Sequence, residues 1–169
     1  MRIRTGNDFA CTPAQAYAML TDPAFWRAVA DASHPLSYDV SVDGRRVRTR
    51  RVLPSDPSVA KITGPTITIV DEIFWDDSGG DERYGLASVE VEGLPASIGA
   101  AMGGTVWLHA GGRGALLDYE GDLDVAVPLI GPLLERRAAA VLTEAIGLQQ
   151  QVADAWVAPS DPDVSAYGQ

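Results

Sequence analysis

The sequence predicts an α+β domain: a sheet of about six to seven antiparallel strands covered by one long C-terminal helix, with two short helices after the first strand. Three observations carry this. Between Pro132 and Val157 the chain has no internal proline, and Leu134, Ala138, Val141, Ala145, Leu148, Val152 and Trp156 recur at helical spacing. From Leu36 onward the period switches to two in segment after segment, separated by Gly- and Pro-bearing turns. Near the start, Thr12-Pro13 and Asp22-Pro23 each place a capping residue before a proline, which is how a helix begins.

Arg2 to Ala10 alternates, with Ile3 and Phe9 on one side, and reads as the first strand. The short helices AQAYAML and AFWRAVADA follow the two caps, and the second presents Phe25, Trp26, Val29 and Ala30 to a larger surface. His34-Pro35 ends it. Leu36, Tyr38, Val40 and Val42 then face one way, Asp43-Gly44 turns the chain, and Val47, Thr49, Arg51 and Leu53 return on the same face. Arg46, Arg48 and Arg50 are left pointing outward.

After a loop marked by Pro54, Pro57, Gly64 and Pro65, the strand Ile67 to Trp75 is apolar on both faces, so the pattern leaves its inward side open. Tyr84 to Glu92 alternates again. A run of small residues, Ala96 to Gly104, precedes a strand expected around Thr105 to Ala110. The last strand sets Leu117, Tyr119, Gly121, Leu123, Val125 and Val127 against a water-facing acidic side. The long helix, about 39 Å at 1.5 Å per residue, closes a domain spanning residues 1–157, and a mobile tail rich in Pro, Asp and Ser follows over 158–169. Gly147 inside that helix is costly and suggests a close approach by a strand or ligand.

Composition narrows the function. A chain of 169 residues buries roughly 70% of its unfolded surface, enough for a core without staples. Cys11 is alone, which excludes a disulfide framework or a cysteine metal site. A net charge of -10 argues against nucleic acid as a partner, and no apolar run approaches a membrane span. The segment MRIRTGNDFA alternates where a signal segment would be apolar, pointing to the cytoplasm. No nucleophile elbow, zinc-binding helix or glycine-rich phosphate loop is present, so no cofactor or metal is expected and no catalytic residue is nominated. His34 and His109 could act as bases only if the fold turned them into a cavity.

This order of elements resembles the helix-grip fold of the START-like superfamily (SRPBCC), which includes birch-pollen-allergen-like proteins, lipid-transfer domains and polyketide cyclases. The likeness spans Arg2 to about Trp156. More narrowly, Asp22-Pro23-Ala24-Phe25-Trp26-Arg27, Arg51-Val52-Leu53-Pro54 and Val127-Pro128-Leu129-Ile130-Gly131 resemble an uncharacterised bacterial branch of unknown function. The resemblance implies a curved sheet gripping the last helix around a mostly apolar cavity.

The alternation nominates the lining. Tyr38, Thr49, Arg51, Val89, Tyr119 and Leu123 come from inward strand faces, and Asp71 joins them if the Ile69 and Ile73 face is inward. Val141, Ala145 and Leu148 come from the helix, where small Ala138 and Ala145 leave room. The alternative is that Trp26, Tyr38 and Trp107 fill the space. Arg51 is the sharpest feature: an arginine on an apolar face needs a carboxylate, a carbonyl or a ligand anion, and Asp71 or Glu72 on the next strand would also serve. The resulting expectation is binding or carriage of a small hydrophobic ligand, lipid- or polyketide-like, with loops at Pro54–Thr66 or Gly93–Gly104 as gates. A cyclase or dehydratase and a filled-core interaction module are the alternatives, and the sequence leaves monomer and homodimer equally open.

Overall fold

A computed structural model describes residues 1–57, 60–76, 79–94, 99–126 and 131–158. The chain runs β1 (Arg2–Phe9), α1 (Pro13–Leu20), α2 (Pro23–Ala32), β2 (Ser37–Asp43), β3 (Arg46–Pro54), α3 (Ala60–Thr63), β4 (Thr66–Trp75), β5 (Arg83–Glu92), β6 (Gly99–Gly111), β7 (Gly114–Ala126) and α4 (Gly131–Val157). The strands form one curved antiparallel sheet in the order β1-β7-β6-β5-β4-β3-β2. This is the helix-grip arrangement, with α4 lying against β1 and β7 and touching α2.

The two early helices start as their caps dictate. The Thr12 hydroxyl accepts from the Gln15 backbone N–H at 3.3 Å while the Gln15 side chain accepts from the Thr12 N–H at 3.0 Å, a reciprocal capping box. An Asp22 carboxylate oxygen accepts from the Ala24 N–H at 2.7 Å and starts α2. Phe25, Trp26, Val29 and Ala30 are all buried. Of these, Phe25, Trp26 and Val29 join Phe9, Leu20, Trp75, Leu108 and Leu117 in a core under one end of the sheet, which the Ala153 face of α4 completes. A smaller cluster of Met102, Leu123 and Val125 lies under the other end of α4.

Several expectations are corrected. The strand expected from Thr105 begins at Gly99, so the second half of the small-residue run is β6 itself. Its glycines permit a close approach that no alanine would: a Cβ on Gly104 would lie 2.5 Å from the Cα of its cross-strand partner Gly121. The Pro54–Thr66 loop contains the short helix α3. Nothing lies within 4 Å of a Cβ built on Gly147, so no strand comes close there. The inward face of β4 carries Asp71, Ile73 and Trp75.

The helix stripe is rotated from the one expected. Among the described residues of α4, Gln149 and Ala153 are the buried positions, with Leu142, Ala145 and Ile146 half-buried, whereas Val141 is 51% and Trp156 41% exposed. Two stripes starting at Ala138 fit helical spacing; they share Ala145 and part at Val141 or Leu142, Leu148 or Gln149, and Val152 or Ala153, so their faces overlap and differ by a partial turn. The polar side chain of Gln149 disguised the true one. Leu134 and Val127 through Ile130 fall outside what is described of side chains or backbone, as does the tail beyond Ala158.

Candidate functional site

The site lies between the concave face of the sheet and the stretch of α4 from Ala138 to Gln149. β3 and β4 pair so that Thr49 stands directly opposite Asp71, with Arg51 one pleat further along the same face. Arg51 Nη2 donates to Asp71 Oδ2 at 2.7 Å, and the Thr49 hydroxyl donates to the same oxygen at 3.0 Å. Of the partners foreseen for Arg51, it takes Asp71; Glu72 instead meets Arg46 and Arg48 on the convex side. The Arg51 side chain is 11% exposed, and its Nε is buried with no acceptor among the described residues.

Across the cavity, the Gln149 amide donates to the Tyr119 hydroxyl at 3.3 Å. Burial pushes the Tyr119 phenol well above its ordinary value of 10, and the nearby Asp71 carboxylate adds to the rise, so the group stays protonated and able to donate. Trp26 is held at the inner wall because its indole N–H donates to the Leu20 carbonyl at 2.8 Å.

Two adjoining cavities open here, and both are lined by Arg51, Asp71, Val89, Met102, Leu142 and Ala145. The inner one reaches Trp26, Val29, Ala30, Tyr119, Ile146 and Gln149 and holds about 820 Å³ of atom-free space, its open mouth included. The outer one, about 630 Å³ on the same measure, is walled by Ile67, Ile69, Val91, Leu123, Ala138 and Val141.

Of the residues nominated from sequence, Thr49, Arg51, Asp71, Val89, Tyr119 and Ala145 line the inner cavity, and Leu123 and Val141 the outer. Tyr38 and Leu148 line neither. Tyr38 pairs with Arg51 and shares its face, but β2 is the last strand of the sheet; the ring is 37% exposed and its hydroxyl bonds to Asp31. Leu148 is displaced by the rotation of α4 that brings in Gln149. Lining residues that the sequence did not nominate include Gln149, Leu142, Ile146, Met102 and Ala30, while Trp26, foreseen as a residue that would fill the space, forms part of its wall. The spacing of Leu142, Ala145, Gln149 and Ala153, at three, four and four, was available as a signal.

Neither histidine reaches the cavity. His109 projects from the convex face, stacked on Trp107 with ring centroids 3.7 Å apart and with Nε2 2.7 Å from an Asp118 carboxylate oxygen. His34 is exposed in the left-handed region, with φ 48°, at the end of α2. Among the described residues no three His, Cys, Asp or Glu side chains group to hold a metal ion. Among them, no helix is long and apolar enough to cross a membrane.

Solved structures with the same fold cover nearly all of the chain. A protein from Rhizobium loti is similar at a TM-score of 0.60 and 12% identity, covering 90% of this chain and 96% of its own. One from Thermus thermophilus is similar at 0.57 and 16%, covering 90% and 94%. The di-domain ARO/CYC StfQ from the steffimycin biosynthetic pathway is similar at 0.56 and 13%, this chain matching 91% of itself to 50% of that one. No curated protein matches the sequence significantly. A family profile does, from residue 6 to residue 157, and the chain therefore belongs to the family described as "Protein of unknown function (DUF2505)".

Proposed function

We propose that this protein binds or carries a small hydrophobic molecule in the cavity between the sheet and α4. The observation that carries this reading is the lining itself: apolar walls on both sides of an isolated Arg51–Asp71 pair, with Tyr119 and Gln149 as further hydrogen-bonding groups. Burial of ligand apolar surface would supply the affinity, at roughly 25 cal/mol per Å² before the costs of association. The polar groups would set orientation.

Native mass spectrometry of the purified protein, followed by organic extraction, tests it directly. A stoichiometric apolar adduct is the expected result. Where the protein is purified empty, titration with the neutral dye N-phenylnaphthylamine should show saturable binding that Ala145→Phe abolishes. A dye that binds neither tightly nor saturably sinks the reading.

An enzyme of cyclase or dehydratase type is the second reading, favoured by the protonated Tyr119 facing the same cavity as Arg51. It predicts that Tyr119→Phe or Arg51→Met abolishes turnover of a reactive polyketone while ligand binding persists. His109, on the convex face, plays no part in it.

A further inference from the structure

Resting on the carrier reading above, we infer that the cavity selects an electrically neutral ligand whose hydrogen-bond acceptor, a carbonyl oxygen, lies within its apolar skeleton rather than at one end. Three observations lead there.

The first is charge. Among the described residues, Arg51, Asp71 and Glu72 are the only charged ones lining either cavity, and Glu72 spends its charge on Arg46, 2.8 Å away. What remains inside is one guanidinium and one carboxylate at 2.7 Å, whose charges sum to zero. A carboxylate ligand would have to displace Asp71 or lie against it, and an ammonium would do the same with Arg51. Both exchanges strand a charge in surroundings of low dielectric.

The second is the donor. Arg51 uses Nη2 on Asp71 but keeps a buried Nε–H that meets no acceptor among the described residues. A guanidinium stays protonated, so this group is always a donor. With a turn of the Arg51 side chain toward the cavity, an oxygen acceptor on the ligand satisfies it; a hydrocarbon alone leaves it costly.

The third is position. Arg51 and Asp71 belong to the lining shared by both cavities, with Trp26, Val29 and Ile73 on one side and Ile67, Ile69 and Leu123 on the other. A ligand spanning both places its apolar parts to either side of the pair. A fatty acid brings a charge that the paired site does not balance, and carries it at one end rather than within its skeleton.

The test compares two dyes of one skeleton by equilibrium titration at neutral pH: a propionyl-dimethylaminonaphthalene ketone and the corresponding dimethylaminonaphthalene carboxylate. The native protein should bind the ketone at least about tenfold more tightly, with blue-shifted emission. Asp71→Asn should invert the preference by leaving Arg51 uncompensated. Arg51→Lys, which keeps the charge and loses the Nε–H, should weaken the ketone. A native protein that binds the carboxylate as well as or better than the ketone overturns this inference while leaving the carrier reading standing. Failure to bind both dyes and N-phenylnaphthylamine overturns the two together. Should Asp71→Asn not fold, as judged by circular dichroism, the native ratio of the two affinities decides alone.

Discussion

The two halves of α4 cover the same sheet in opposite ways. From Ile146 onward the helix is keyed into its surroundings. Asn7 Nδ2 donates to the Ile146 carbonyl at 2.9 Å, and the Gln150 amide both accepts from the Asp8 N–H and donates to the Asp8 carbonyl, each at 2.8 Å. Asp154 pairs with Arg113 at 2.8 Å, and Trp156 packs edge-on to Phe25. Before Ile146 the helix offers Ala138, Leu142 and Ala145 to a concave sheet, and the space is left open. The difference teaches how a small domain keeps a cavity: the C-terminal end of the helix is bonded to the first strand, so the space beside the rest need not be filled to hold the helix in place.

The comparison breaks first at the packed end. Phe25→Ala, at a site with no exposure, should cost about 3–5 kcal/mol in urea denaturation. An equal loss from Leu142→Ala would erase the distinction between the halves. Next come the bonds that tie α4 to β1: Asn7→Ala and Gln150→Ala should each cost about 1–2 kcal/mol, since both remove partners from largely buried backbone groups.

Tyr119 sharpens the comparison through pH. Its folded pKa is raised, so the unfolded chain loses this proton first; stability is unaffected below the ordinary value of 10 and falls as pH climbs above it. Tyr119→Phe should flatten that alkaline slope, measured as the difference in melting temperature between variant and native protein. The smallest effect on stability belongs to the hollow end. Ala145→Leu should change stability by no more than about 1 kcal/mol while removing N-phenylnaphthylamine binding, because the new side chain occupies space and not a packed contact.

Much of this was legible. The caps at Thr12 and Asp22, the Asp43-Gly44 turn and the alternation of Thr49, Arg51, Tyr119 and Leu123 are local signals, each contained within a few residues, and each reads correctly from the chain. The misreadings share a cause. Gln149 was left out of the apolar stripe of α4 because its hydrogen-bond partner, Tyr119, is 30 residues away. Tyr38 was set in the cavity because alternation gives a face and not a distance from the sheet's edge. The small residues before Thr105 looked like a loop, yet Gly104 and Gly121 are a cross-strand pair.

By itself, then, the sequence determined the order and kind of the elements and which residue types could face inward, since periodicity and turn chemistry are properties of neighbouring residues. Only the tertiary structure decided the rotation of α4, the inward face of β4, the pairing of Arg51 with Asp71 and the space beside them. Those depend on strand register and on the volume left between surfaces far apart in the chain. A cavity is what side chains from many separate elements fail to fill, and no single stretch of sequence records that failure.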